Sequence, residues 1–208
     1  IDASTERHLW SQRYEREERN ILALEATLAQ AIAHEIQVQV TPEEKVRFAR
    51  VRPVDPRAHE LNLEGRSYVD RINPENFKKA VAAFNEALAI DPGYAPVYAG
   101  LAQAYCGASS LYLPSAEAMP KARAAALRGL ELDPDLMQAQ VALGYVNAFY
   151  DWKWAEAEPQ FKRAVQLASS DASAHWIYGY YLTMNERFDE AIAEMRSARE
   201  LDPLSAVI

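Results

Sequence analysis

The strongest constraint on the fold of this chain is a repeat that runs through residues 58–208. One spacing of small, aromatic and proline side chains occurs four times. The four sets of markers are Ala80, Phe84, Ala87 and Pro92; Ala122, Ala126, Gly129 and Pro134; Ala157, Phe161, Ala164 and Ser169; and Ala191, Met195, Ala198 and Pro203. A period of about 34 residues, which the later sets match, is typical of a helical solenoid, a class that binds more often than it catalyses.

Each unit is predicted to be a hairpin of two antiparallel helices. A small residue in the first helix is followed by an alanine in the second, and such residues allow a close approach that larger side chains would overpack. The pairs are Gly65 with Ala80, Ala102 with Ala122, Gly144 with Ala157, and Gly179 with Ala191. Asp-Pro pairs at Pro92, Pro134 and Pro203 are expected to end the second helices, because the residue before proline is displaced from the α region.

These positions resemble the tetratricopeptide repeat, whose signature places aromatic, Leu-Gly, Ala and Pro residues in this order. The unit 172–205 fits best, although Leu182 replaces the usual aromatic residue. The other units, 58–94, 95–136 and 137–171, are more degenerate. The resemblance implies an all-α fold, a right-handed superhelix of antiparallel helix pairs.

An insertion of roughly eight residues distinguishes the second unit. Residues 107–114 are predicted to form a long loop with Leu-Tyr-Leu at its centre. Either the loop folds over a binding surface or reaches a partner, or it packs back onto its own hairpin, which we favour.

Residues 1–57 do not share the repeat. Residues 1–18 have the aromatic pattern of a short strand or hairpin, and residues 19–57 are predicted to be linker helices, beginning with a long lead-in helix. The segment resembles the junction between a small TolB-like α/β domain and a repeat array in bacterial signalling proteins. Those proteins carry a winged-helix transcriptional regulator, an adenylate cyclase or a Ser/Thr kinase. The resemblance implies that the chain is a piece of a longer polypeptide, with residues 1–18 a remnant of the α/β domain.

The amino-acid composition limits which classes of partner we expect this chain to bind. The net charge of −8 argues against nucleic-acid binding by this chain, because phosphate binding requires clustered Lys and Arg. No apolar run is long enough for a transmembrane segment, so no membrane partner is expected, and a cytoplasmic location is the default expectation.

No catalytic, cofactor or metal site is predicted, so the chain is not expected to be an enzyme. The histidines His8, His34, His59 and His175 stand alone, without the spacings that build metal sites. Cys106 lies on an apolar helix with no histidine near it in sequence, which favours a core or groove residue over a nucleophile.

The family resemblance also implies a binding groove. In tetratricopeptide arrays, the second, fifth, ninth and twelfth positions of each first helix line a concave face. The candidate ligand-binding residues carried over in this way are Asn62, Arg66, Gln103, Gln138, Tyr145, Trp176, Tyr180 and Thr183. The expected ligand is a protein or peptide segment, since aromatic and Arg side chains dominate binding hot spots. The alternative is that the aromatic residues only pack one repeat on the next.

Two functions are compatible with these sequence features. The favoured one is a non-catalytic protein- or peptide-binding scaffold that regulates an attached bacterial signalling or transcription-regulatory effector. The alternative is a structural oligomerisation module, because the last helix, around Ala191, Ile192, Met195 and Ala198, has no following repeat to cover it. Self-association through that helix face is therefore also expected.

Overall fold

The computed structural model describes residues 53–71 and 73–205, and these residues form eight helices. The helices are α1 Pro56–Val69, α2 Pro74–Ile90, α3 Ala95–Leu111, α4 Ser115–Leu132, α5 Met137–Phe149, α6 Trp154–Leu167, α7 Ala172–Met184 and α8 Phe188–Leu201. The predicted strand remnant and the lead-in helix fall within residues 1–52 and lie outside the described part of the chain.

The chain divides into two compact units, residues 1–60 and 61–208. In the described part of the first unit, the Asp55 side chain accepts a hydrogen bond from the Arg57 backbone N–H at 2.8 Å, which caps the start of α1. The second unit contains the remainder of α1 and all of α2–α8. The predicted domain limits at residues 18 and 57 stay predictions.

Three of the second helices end in the same way. Helices α2, α4 and α8 stop at Ile90, Leu132 and Leu201, each directly before an Asp-Pro pair, as predicted. The aspartate N–H closes the last helical turn, and its side chain accepts the backbone N–H two residues later. For Asp91 these distances are 2.9 Å to the Ala87 oxygen and 3.1 Å from the Gly93 nitrogen. The aspartate therefore turns the chain while proline prevents further helix.

Glycines on the first helices accommodate large side chains of the second helices. Phe84 of α2 is fully buried, and its ring lies against both Gly65 and Gly100. Phe161 of α6 lies against Gly144 in the same way. The sequence prediction paired Gly65 and Gly144 with alanines and therefore missed their nearest neighbours, the aromatic rings that fill the space these glycines leave. Gly179 does lie near its predicted partner, because an added Cβ would be 3.3 Å from the Ala191 carbonyl oxygen, next to Met195.

Residues 107–111 of the insertion in the second unit are helical, so the predicted long loop is wrong and a short connection takes its place. The insertion lengthens α3 and α4 to 17 and 18 residues, and only residues 112–114 connect them. Tyr112 packs on Phe77 of α2, with ring centroids 6.2 Å apart, and its hydroxyl donates to the Asn73 carbonyl at 3.1 Å. The connection therefore packs on the preceding hairpin.

The last helix has an exposed apolar side, which includes Ile192 as predicted but not Ala191 or Ala198. Ala191 and Ala198 are buried against α7, since they face the inside of their own hairpin. The exposed apolar side chains of this region include Phe188, Ile192 and Leu204.

Candidate functional site

The first helices of successive hairpins contact one another, α3 with α5 and α5 with α7. Side chains on their shared face therefore come from separate repeats that lie far apart in sequence. We call this surface the first-helix face. It carries most of the predicted ligand-binding residues.

A pocket of about 160 Å³ opens on the first-helix face. Three predicted residues line it together, Arg66 from α1, Gln103 from α3 and Gln138 from α5. The remaining lining residues are Val69, Asp70, Met137, Val141, Asp171, Ser173 and Ala174. We call this site the polar pocket, and it draws side chains from four hairpins.

Some polar side chains of the polar pocket are hydrogen-bonded within the fold, and others are not. The Asp171 side chain accepts a hydrogen bond from the Ala174 backbone N–H at 3.0 Å and caps α7. The exposed Arg66 guanidinium has no hydrogen bond or ion pair with any residue that the structure describes, and neither have the carboxamides of Gln103 and Gln138. A guanidinium offers five donors and a carboxamide offers both donors and an acceptor. The pocket thus presents hydrogen-bonding groups that the described part of the fold leaves available.

Aromatic side chains gather further along α5 and α7. Tyr145 lies 4.8 Å from Phe149 between ring centroids, and Phe149 lies 5.4 Å from Tyr180. Trp176 and Tyr180 are nearly parallel, with an interplanar angle of 9° and a centroid distance of 6.0 Å. We call these four residues the aromatic cluster. It contains the three aromatic residues of the predicted site.

The aromatic cluster is partly buried between neighbouring repeats and partly exposed to solvent. Its members Tyr145, Phe149 and Trp176 are partly buried against the core between α5 and α7, whereas Tyr180 is 39% exposed. Burial raises the pKa of the Tyr145 hydroxyl, which lies 2.8 Å from the Ser110 hydroxyl. Inter-repeat packing therefore accounts for part of each ring, while an exposed surface remains on the first-helix face.

Two predicted residues lie apart from these sites. Asn62 is buried, and its side-chain oxygen has no hydrogen-bond partner among the described residues. The Thr183 hydroxyl donates to the Gly179 carbonyl of its own helix at 2.9 Å. Neither residue lines the polar pocket.

Sequence reasoning missed several residues of these surfaces. Phe149 follows Tyr145 by four residues, a spacing that places both on one helix face and could have identified it. Asp171 lies outside the helix positions that were carried over from the family. It could have been found as a helix cap before an apolar stretch.

The described residues contain no group of three or more His, Cys, Asp and Glu side chains that could hold a metal ion. Cys106 is buried, and this burial raises the pKa of its thiol to about 12. His175 is engaged structurally, with Nδ1 2.6 Å from the Glu194 carboxylate and Nε2 3.1 Å from the Ser169 carbonyl. Among the described helices, none combines the length and apolar character needed to cross a bilayer.

Comparison with known proteins provides two curated relatives. The chain is 32% identical over 101 residues, or 49% of its length, to a protein named as an adenylate cyclase in Rhizobium meliloti (strain 1021), of which the match covers 17%. It is 26% identical over 145 residues, or 69% of its length, to the transcriptional regulator HilA of Salmonella typhimurium, of which the match covers 26%. The chain thus spans about a quarter or less of these relatives. No protein-family model matches it.

Among solved structures, the chain is similar to a thermophilic TPR protein of Thermus thermophilus. The two superpose with a TM-score of 0.60 at 17% identity, over 91% of this chain and 93% of the other. This likeness, together with the helical hairpins and their repeated turns, confirms the predicted all-helical architecture. The chain therefore has the tetratricopeptide-repeat fold.

Proposed function

We propose that the chain is a non-catalytic scaffold that binds a protein or peptide segment on its first-helix face. The observation that carries the proposal is the polar pocket, where Arg66, Gln103 and Gln138 converge from three helices. None of these side chains has a polar partner in the described part of the chain. Groups of this kind recover hydrogen bonds when a ligand supplies the matching atoms.

Arg66 favours an extended segment with one acidic side chain, while the other two charged groups of the lining, Asp70 and Asp171, disfavour additional acidic residues. The Arg66 guanidinium suits a carboxylate, which it can bind through two parallel hydrogen bonds. Gln103 and Gln138 can each pair with a backbone N–H and a backbone C=O, groups that an extended peptide leaves free. The ligand we propose is therefore a peptide with an acidic side chain at Arg66.

We further propose that this scaffold is the regulatory part of a larger bacterial signalling or transcription-regulatory protein in the cytoplasm. The names of the two curated relatives support this context. Both contain a region similar to this chain as a minor part of their length.

The test is selection of a random dodecapeptide display library on the immobilised protein. Enriched peptides are expected to carry an acidic residue, and Arg66→Glu should weaken their binding at least tenfold because it replaces attraction with repulsion. Arg199→Glu is the matched control, since it makes the same charge change at an exposed site on α8. The proposal fails if no peptide is enriched, or if both variants bind the selected peptides as tightly as the unmodified protein.

A second candidate function is self-association, favoured by the exposed apolar side chains of α8. Phe188 and Ile192 are about half exposed and lie one turn apart. Sedimentation velocity over a hundredfold concentration range should show a concentration-dependent dimer that Ile192→Glu abolishes. A monomer at every concentration would exclude this candidate.

A further inference from the structure

The aromatic cluster continues beyond the first-helix face to the turn between α5 and α6. Trp152 and Trp154 have ring centroids 5.9 Å apart, and Trp154 lies 5.7 Å from Phe149. Phe149 then leads to Tyr180 at 5.4 Å and Tyr180 to Trp176 at 6.0 Å. We call this chain of five rings the aromatic ridge.

The outermost ring, Trp152, is held at a cost to the protein. Its backbone has φ of 60°, in the left-handed region that a bulky side chain rarely occupies, and its side chain is 69% exposed. Glu186, at the equivalent place in the turn between α7 and α8, has the same φ of 60°. The conformation therefore belongs to the turn, where glycine would be least strained, and the turn does not require tryptophan.

The ridge presents hydrogen-bond donors. The indole N–H groups of Trp152, Trp154 and Trp176 and the Tyr180 hydroxyl make no hydrogen bond with any residue that the structure describes. An indole can only donate. The surface thus combines apolar ring faces with donors that call for acceptors.

Charged groups beside the ridge are already paired. Lys153 lies 3.1 Å from the Glu156 carboxylate, and Arg123 forms an ion pair with Asp151. The ridge therefore fits an uncharged ligand better than an acidic or a basic one.

We propose that the aromatic ridge binds a proline-rich segment of a partner protein in the polyproline II conformation. Such a segment offers what the ridge lacks, because its carbonyl groups are unpaired acceptors and proline has no competing N–H. Its apolar rings pack on aromatic faces, as in other proline-recognition grooves. Prolines on one side of this helix repeat every three residues, or about 9 Å. Consecutive rings of the ridge lie 5.4–6.0 Å apart, so the alternate rings Phe149 and Trp176 lie no more than about 11 Å apart, a limit that admits this repeat.

This inference rests on the proposed function in one respect, since Trp176 and Tyr180 belong to both the first-helix face and the ridge. It adds a second ligand chemistry that does not use Arg66. The two proposals can therefore fail separately.

The experiment measures fluorescence anisotropy of fluorescein-labelled decaproline titrated with the full chain. Binding should be saturable with a Kd below about 1 mM, and a labelled Gly-Ser decapeptide should not bind. Trp152→Gly should weaken decaproline binding at least fivefold while raising the melting temperature, because glycine relieves the strained turn. Glu186→Gly is the matched control, since it relieves the equivalent turn but leaves the ridge intact, and its decaproline affinity should stay within twofold.

Three results would overturn the proposal: no saturable signal with decaproline, equal binding of the Gly-Ser peptide, or unchanged affinity in Trp152→Gly. Arg66→Glu separates this inference from the proposed function. It should weaken binding of the library-selected acidic peptides at least tenfold and leave decaproline binding unchanged. Loss of decaproline binding in Arg66→Glu, with Trp152→Gly unaffected, would place the proline ligand in the polar pocket and refute the ridge.

Discussion

Replacing Gly100 with alanine is expected to destabilise the protein, because the new methyl group would overlap a ring that cannot move away. The added Cβ would lie 2.4 Å from Cζ and 2.7 Å from Cε1 of Phe84. Phe84 is fully buried, and on its other side a Cβ at Gly65 would lie only 2.5 Å from the same ring. The ring is thus held between two helices at positions where only glycine fits.

The size of the effect follows from two opposing terms. Ordinary contacts of a Cβ atom begin near 3.4 Å, so the methyl group intrudes by about 1 Å. Overpacking of this kind costs about 1–3 kcal/mol. Exchanging glycine for alanine within a helix returns about 1 kcal/mol. Because the ring in this rigid site cannot move away, we expect the cost to lie in the upper part of that range, about 2–3 kcal/mol, which leaves a net loss of about 1–2 kcal/mol in the free energy of unfolding.

Urea unfolding followed by circular dichroism would measure this loss. Gly129→Ala is the matched control, because its Cβ would meet the Leu136 Cδ2 atom at 3.2 Å and only ordinary contacts otherwise, so it should be neutral or stabilising by up to about 1 kcal/mol. Phe84→Leu should partly rescue Gly100→Ala, giving a coupling of about 1 kcal/mol in the double-mutant cycle. Equal stability of Gly100→Ala and the unmodified protein, or strict additivity with Phe84→Leu, would refute the packing argument.

Three further predictions concern buried and paired polar groups. Burial raises the pKa of Cys106 to about 12, so the native thiol is almost entirely protonated at pH 8 and is also shielded from reagents. Iodoacetamide should therefore label Cys106 in urea but not in the native protein, and labelling of the native protein would contradict this. The hydrogen bond from Arg187 lowers the pKa of the Glu158 carboxyl. The pair therefore stabilises the protein at pH values above the pKa that Glu158 has in the unfolded chain. This stabilisation is lost as the pH falls through the lower pKa that Glu158 has in the folded protein. Arg187→Met should therefore cost about 1 kcal/mol at pH 7 and little near pH 2 in urea titrations, and an equal loss at both values would contradict this. His175→Leu should cost about 1–3 kcal/mol by removing the contact to Glu194, and an unchanged urea midpoint would show that the contact contributes nothing.

The helix ends were predictable because their causes are local. At Asp91-Pro92, the proline ring excludes further helix and the aspartate side chain accepts the next available N–H, so the adjacent residues suffice. The insertion was not predictable in this way. Residues 107–110 contain Gly and Ser, which are weak helix formers, but packing of α3 against α4 keeps this stretch helical.

As with the helices, some features of the site follow from the local sequence, whereas others depend on how the helices pack. Helical periodicity places Gln138 and Tyr145 on one face of α5, because they are seven residues apart. Which other helices reach that face depends on how the hairpins are staggered. The polar pocket joins the end of α1, at Val69 and Asp70, to the start of α7, at Ser173, and no periodicity within one helix reveals this crossing.

The polar pocket and the aromatic cluster occupy different ends of the same helix, and this separation determines how a ligand can use them. Gln138 and Tyr145 are two helical turns apart, or about 10 Å along α5. A peptide that contacts both must extend by about three residues or more. Because effects at sites more than about 7–10 Å apart usually add, Arg66→Glu and Tyr180→Ala should weaken the binding of such a peptide additively in free energy. A double variant no weaker than the more severe single variant would show that each peptide uses only one of the two sites, and that the first-helix face holds two separate binding surfaces.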